Sequence, residues 1–451
     1  MGASQLKLLS TLWAVGVVIS VNSSWGWLHT LSDDWPLLVS LLIVLGALSF
    51  PDSTRVLRAA ALSFVFLMLW YLPAVPNHRT VLALSGCALL VASCSPRNAS
   101  RALWTLRWLA VVLYFFAFVA KLNSTYLFSG SSCASVFLRE ALQLHGIAPL
   151  SASDHTAASS AFSTAGVWSA ISELVLIILL VIRKTRRLGV LLGIAFHILL
   201  ATHYVKFFAN FSGATFVLLL SWLDEPDCRR LVDRLRYWRG ALLSIVVSLP
   251  IVGALAACGL ISPSFYFILR YVLWSVYAWY LLYAAMRLCF TKSEDSVCPS
   301  ALGIPLLSLI AIAVAFGISP YLGAKTRSGI SMYSNLRVEP GYTNHLFLPE
   351  SPDIFGMMRD SATVTAVHSQ EESDKSALAL GTYPFVTICS FLARMDEVRT
   401  KGPVEIEFLR HGQAARATRG GPLPADCPHW TWRKLLLFGP TGEGSENACI
   451  W

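Results

Sequence analysis

The chain has 451 residues, of which 55% are hydrophobic and only 14% charged; a water-soluble globule carries about 25% charge to keep its core in solution. The net charge of +9 does not point to nucleic acid, because the basic residues sit in short segments between apolar runs and no basic stripe is interleaved with aromatics. Charge is scarce as far as Lys325 and ordinary beyond it, which divides the chain into a lipid-facing part and a water-facing part.

Apolar runs occupy 7–27, 35–51, 58–76, 79–95, 104–127, 166–182, 188–204, 206–222, 240–260, 264–286 and 301–319. Each approaches the roughly twenty residues a helix needs to cross about 30 Å of hydrocarbon. They predict an all-α polytopic transmembrane bundle of about eleven helices over residues 1–320. The first run is longer than a signal-peptide core and has no clear small-x-small cleavage site, so it is read as a retained helix. The stretch His203-Tyr204-Val205-Lys206 leaves little room for a turn between two of the runs.

Loop charges set the orientation. With the N-terminus in the cytoplasm, the inside segments hold Lys7, Arg55, Arg58, Arg97, Arg101, Arg107, Arg183, Lys184, Arg186 and Arg187, then Arg229, Arg230, Arg234, Arg236, Arg239, Arg287 and Lys292. The short outside segments hold Arg79, Arg139 and Lys206. This asymmetry follows the positive-inside rule and predicts a C-terminal domain outside the cytoplasm.

Two segments break the helical rhythm. Ser129 to Gly166 is a long outside loop rich in Ser, Ala and Gly, with a helix predicted from Ala134 to Leu144. Beyond Pro320, Gly, Pro, Asn and Asp punctuate short runs. Thr363 to Val367 and the alternating Val404-Glu405-Ile406-Glu407-Phe408 predict strands of a small β-rich soluble domain over 321–451.

The ten cysteines include no CxxC, so no metal site is predicted. Cys87, Cys94, Cys133 and Cys258 lie in or beside apolar helices, where a cysteine acts as a small hydrophobe. Cys389, Cys427 and Cys449 fall in the tail and allow a disulfide in an oxidising compartment, with the pairing left open.

Ionisable groups within spans are costly and are read as functional by default. Counted from the nearest basic boundary residue, Lys121 lies about 21 Å deep, and Glu173 and His197 about 15 Å. An amine, a carboxylate and an imidazole thus fall in roughly one layer. Each also has a plainer reading. Lys121 snorkels to the outer interface along its apolar stem, with Asn123 and Tyr126 marking the boundary; Glu173 pairs with a buried cation; His197 is a satisfied structural histidine. His203 and Lys206 are interfacial, and Arg270 snorkels from the outer start of its helix. The functional reading makes Lys121 a base, since an amine removed from water holds its proton less firmly, with His197 as its partner. Glu173, His203 and Arg270 are then candidates for the substrate pocket.

The stretch Tyr114-Phe115-Phe116-Ala117-Phe118-Val119-Ala120-Lys121-Leu122-Asn123 resembles the aromatic-rich helix and Lys-Leu-Asn/Asp segment of the HTTM superfamily, which includes vitamin K-dependent γ-carboxylase. Glu173, Arg186-Arg187, Ala195-Phe196-His197 and the later Phe207 and Phe208 are similar to a second segment of that family. The resemblance extends over 5–345, including Met332 to Arg337 and Thr343-Asn344-His345. In the carboxylase, a lysine at the matching place is regarded as the base that deprotonates reduced vitamin K. Oxygen then adds to the quinol anion, giving an alkoxide that removes a glutamyl γ-proton, and CO₂ captures the carbanion. The resemblance implies Lys121 as base, His197 in support, and reduced vitamin K or another naphthoquinol as cofactor. Three departures stand against carboxylation. The tail is much shorter than the carboxylase's lumenal portion, Ala120 replaces a lysine, and Tyr126 stands where a Trp is usual.

Arg410-His411-Gly412 matches the opening of histidine phosphatases but follows a single strand without the surrounding α/β pattern. Pro428-His429-Trp430-Thr431-Trp432 reads as an aromatic packing cluster. The expected function is a multi-pass membrane protein in contact with membrane lipid, holding a lipophilic quinone and oxidising its reduced form. Its rivals are a non-catalytic lipid or solute carrier and a membrane anchor displaying the outer domain.

Overall fold

The computed structural model describes residues 1–22, 35–72, 75–130, 132–146, 164–203, 208–257, 260–291, 304–326, 329–331, 333–369, 378, 380–393, 403–436, 438 and 441. Lys206, Cys258, Cys449 and, within the 129–166 loop, residues 131 and 147–163 lie outside the described residues.

The helices are α1 (Ala3–Asn22), α2 (Trp35–Ser49), α3 (Thr54–Trp70), α4 (Asn77–Ala92), α5 (Pro96–Lys121), α6 (Ser124–Phe128), α7 (Cys133–Leu144), α8 (Ala165–Val181), α9 (Arg186–Leu200), α10 (Ala209–Leu220), α11 (Glu225–Ala257), α12 (Pro263–Cys289) and α13 (Ile304–Ile318). Among the described residues, three stretches, Ala3–Val21, Arg97–Lys121 and Ser264–Cys289, are long and apolar enough to cross a membrane. The pair Ala165–Val181 and Arg183–Leu200, bent by 108° at its break, makes a fourth if it is one broken span. The described helices thus supply three or four spans by length, fewer than the eleven or so expected from the apolar runs. Among the others, α2, α3, α4 and α10 have 15, 17, 16 and 12 residues, short of the roughly twenty needed for a full crossing.

Helices α8 and α12 carry large apolar side chains outward. On α12, Ile268, Val272, Val276, Trp279, Tyr283 and Met286 are exposed, while Arg270, Trp274 and Tyr277 are buried. On α8, Ile171, Leu174, Val175 and Ile178 are exposed and Glu173 is buried. This inverts the pattern of a helix on a water-soluble globule.

The chain divides into two compact units. The first comprises 1–69, 78–115 and 173–313. Its helix α1 is buried along its length and packs against α2, α10 and α11. The close approach to α10 rests on glycine, because a Cβ at Gly16 would lie 3.0 Å from the Gly213 carbonyl oxygen. The Trp13 indole donates to the Leu82 carbonyl at 2.8 Å and packs on Gly86. Glu225 accepts the amides of Ser4 and Gln5, each at 3.1 Å, which satisfies free donors at the positive end of α1. Residues expected on the cytoplasmic side are wired together here. Arg107 and Arg186 lie over Trp222 at 5.6 and 5.2 Å, and Arg187 holds Asp227 through two hydrogen bonds of 2.9 and 2.7 Å.

The second unit comprises 70–77, 116–172 and 314–451. A short hairpin of β1 (Val338–Glu339) and β2 (Tyr342–Thr343) precedes a four-stranded antiparallel sheet. That sheet contains β3 (Ser361–Ser369), β4 (Gly381–Pro384), β5 (Val404–Arg410) and β6 (Gln413–Thr418), in the order β4-β3-β5-β6. The two strands expected from alternation are β3 and β5. They pair through Val364↔Phe408 and Val367↔Ile406, with a bulge between Val364 and Ala366. Their inward residues pack on α14 (Phe385–Leu392), which Cys389 ties to Cys427 by a disulfide. The short helix α15 (Trp430–Leu435) follows, its Trp432 ring 5.2 Å from Phe355, so the aromatic cluster serves packing. Arg410 is held by both oxygens of Asp360 at 3.0 Å and lies over Phe385, while His411 and Gly412 have φ of 50° and 78°. The Arg-His-Gly tripeptide is therefore a strand end and a two-residue hairpin turn.

Replacing both Cys389 and Cys427 by Ser opens a loop closed over 38 residues; the expected loss is up to about 4 kcal/mol. It would be read as faster amide hydrogen exchange in β5, with the exchange of α1 unchanged.

Candidate functional site

In the second unit, α5 ends at Lys121, whose side chain is 6% exposed. The helix stops because Asn123 turns extended (φ −130°, ψ 154°) and caps α6, its Oδ1 accepting the Tyr126 amide at 2.8 Å. The Asn123 Nδ2 donates to the carbonyls of Ala120 at 2.8 Å and Ser334 at 2.6 Å. Asn344 completes the junction. Its Nδ2 donates to the Asn335 carbonyl at 2.7 Å, its Oδ1 accepts the Arg337 amide at 2.9 Å, and its carbonyl accepts the Ser124 amide at 2.9 Å. Asn335 Oδ1 accepts the Cys133 amide at 2.7 Å, where α7 begins.

The Lys121 Nζ lies 5.6 Å from the centre of the Tyr126 ring, a cation–π distance. The Tyr126 hydroxyl donates to Ser169 Oγ at 2.9 Å, which fixes the ring. A buried amine held over a buried phenol ring differs from the snorkelling lysine weighed above, because Tyr126 and Asn123 are themselves buried and mark no open boundary.

His345 also belongs to this junction. Its Nδ1 accepts the amides of Phe347 and Leu348 at 3.1 and 3.0 Å, so the proton sits on Nε2 and is donated to the Val119 carbonyl at 3.0 Å. Burial holds this imidazole below its ordinary range, partly offset by the bond to Val119.

In the first unit, His197 is fully buried on α9, its Nε2 2.7 Å from the Tyr114 hydroxyl. The rings of Phe196, Phe211 and Phe216 surround it at 5.4, 5.5 and 6.4 Å, and Ser212 Oγ donates to its backbone carbonyl at 3.0 Å. Glu173 lies on the buried face of α8. The structure therefore joins Tyr114 and His197 in the first unit, which also holds Glu173, and sets Lys121 among the residues of the second.

Two expectations are corrected. His203 and Arg270 are not at an open interface. His203 is buried with its ring edge-on to Phe208 at 5.8 Å, and Arg270 is buried over Tyr266 and Phe267 at 5.0 and 5.1 Å. Both are covered because they sit on the inward faces of their segments, which the position of a residue in an apolar run does not reveal.

Tyr114, Asn344 and Lys325 were not singled out by sequence. Tyr114 stands at the head of the aromatic stretch, and a hydroxyl-bearing ring inside a span was the available signal. Asn344 carries no periodic signal. Lys325, buried with its ammonium 5.3 Å from the Phe316 ring centre, sits where composition turns polar and so looks like an ordinary surface charge.

The unfolded histidine titrates near 6.5, and the folded ring binds a proton less readily. The stability His345 contributes is therefore complete above about pH 6.5 and is lost as pH falls from there through the depressed folded value. Protonation at Nδ1 also breaks both bonds to the 347–348 backbone. Hydrogen exchange at the Phe347 and Leu348 amides, corrected for intrinsic rate, is expected to accelerate on acidification, and His345→Asn, whose oxygen accepts at every pH, is expected to remove that dependence. Comparison with protein-family models, curated proteins and solved structures found no match to this chain.

Proposed function

We propose that the protein is a multi-pass membrane protein of the HTTM kind that binds a reduced naphthoquinone and oxidises it with dioxygen, Lys121 accepting the quinol proton. The observation that carries this reading is the burial of the Lys121 amine at the end of a 25-residue apolar span, held over the Tyr126 ring. A basic nitrogen kept from water at the end of an apolar span suits proton transfer from a lipid-soluble weak acid. Support for the family reading comes from the segments in which the resemblance lies. Lys121-Leu122-Asn123, Ser334-Asn335 and Thr343-Asn344-His345 are far apart in sequence yet share one hydrogen-bonded junction.

Cysteine chemistry supports the orientation. Cys133, Cys389 and Cys427 are disulfide-bonded, and all lie in segments expected outside the cytoplasm. Cys94, Cys228 and Cys289 are free, and all lie at ends expected inside it. Disulfides form where the compartment is oxidising. The exposed Cys94 is expected to react with a membrane-impermeant maleimide only after the cytoplasmic face is opened. Labelling of intact cells at Cys94 would reverse the orientation.

Oxygen-dependent epoxidation of a reduced naphthoquinone by the purified protein in nanodiscs tests the chemistry. Wild type is expected to turn over. Lys121→Ala and Lys121→Arg are each expected to lose about 10²- to 10⁴-fold, the usual contribution of a positioned base, because a guanidinium stays protonated. Wild type folded and supplied with quinol but inactive would leave the carrier or anchor reading.

A further inference from the structure

Arg270, Trp274 and Tyr277 stand four and then three residues apart on α12, so they share one helical face. That face is buried, with Trp274 2% and Tyr277 3% exposed, while the opposite face is apolar and exposed. Among the described residues, the Trp274 Nε1 and the Tyr277 hydroxyl have no hydrogen-bond partner. A buried donor left without an acceptor costs about 1–3 kcal/mol, so two of them a single turn apart call for an explanation. Phe216 on α10 provides an aromatic surface beside them, its ring 6.1 Å from Tyr277 and 6.4 Å from His197. Helix α12 packs directly against α9, which carries His197.

We propose that this face of α12 is the binding site for the oxygen-bearing ring of a lipophilic ligand, whose carbonyl or hydroxyl oxygens accept hydrogen bonds from Trp274 Nε1 and the Tyr277 hydroxyl. The chemistry is selective. An indole N–H and a guanidinium only donate, so the face suits an acceptor-rich head group better than a cation or a bare alkyl chain. The two donors project from the same face of α12 one turn apart, beside the Phe216 ring. Arg270, two turns from Tyr277, adds a positive charge that favours the anionic form of such a ligand. This assignment takes its ligand class from the quinol reading above.

The test is equilibrium binding of 2-methyl-1,4-naphthoquinone to the full chain in nanodiscs, comparing wild type with Trp274→Phe, Tyr277→Phe and Lys121→Ala. Tyr277→Phe removes one donor and keeps the ring, whereas Trp274→Phe removes the other donor together with part of a buried indole. Both are expected to weaken binding about tenfold; the thermal midpoint is expected to stay at or above wild type in Tyr277→Phe, where an unsatisfied donor has been removed, and to fall in Trp274→Phe, which leaves a cavity. Lys121→Ala is expected to bind normally. Unchanged affinity in both phenylalanine variants would overturn the site and assign the two donors to buried water. So would absence of binding by folded wild type. Donor-dependent binding without turnover would keep the site and overturn the base chemistry; turnover with unchanged binding in the variants would do the reverse.

Discussion

Asn123 stands where the chain leaves its long apolar helix, and its one amide group replaces the backbone partners that the helix end has lost. Its nitrogen meets the Ala120 carbonyl of α5 and the Ser334 carbonyl, while its oxygen starts α6. The last carbonyls of a helix have no partner within it, and beside an apolar span that debt cannot be settled by water. The position of Tyr126 follows from this cap, and the position of the Lys121 ammonium over Tyr126 follows in turn. The segment beyond the last apolar run is drawn into the same network through Asn335, Asn344 and His345. A substitution at Asn123 would therefore disturb the lysine without touching it.

The first unit answers a related constraint by another route. Its helices turn large apolar side chains outward and keep a carboxylate, imidazole, phenols and a guanidinium inward. In hydrocarbon the attraction that buries leucine in water is absent, so packing relies on close backbone approach and on polar groups that find partners within the bundle. Gly16 against Gly213 illustrates the first, and Tyr114 with His197 the second. At the ends carrying the basic clusters, charge is handled by pairing. Asp224 and Asp227 are met by Arg107, Arg186, Arg187 and Arg230, so basic residues clustered between apolar runs in the sequence stitch helix ends together.

Legibility in the sequence tracked the length scale of each signal. Strands β3 and β5 and the helix at Cys133–Leu144 were visible because alternation and periodicity are local. Lys121, Glu173 and His197 stood out because a charge in an apolar run is conspicuous, whatever it contacts. Arg270 and His203 were noticed too, but the sense of their burial was missed: depth along a helix can be counted, whereas the direction in which a side chain points depends on which neighbours cover it. Trp274 and Tyr277 were invisible, since an aromatic within a span ordinarily counts as apolar filling.

By itself, the sequence determined the apolar character of the first two thirds, the polar and β-rich character of the rest, and the short list of ionisable residues set among apolar neighbours. These are properties of composition and spacing, which act over a few turns of chain. Only the tertiary structure decided that Tyr114 meets His197, that Asn344 reaches back to the end of α5, that Cys389 pairs with Cys427, and that three donors on α12 face inward together. Those outcomes depend on contacts between residues tens to hundreds of positions apart, and a hydrogen bond or a disulfide is fixed to within tenths of an ångström by packing that no local pattern encodes.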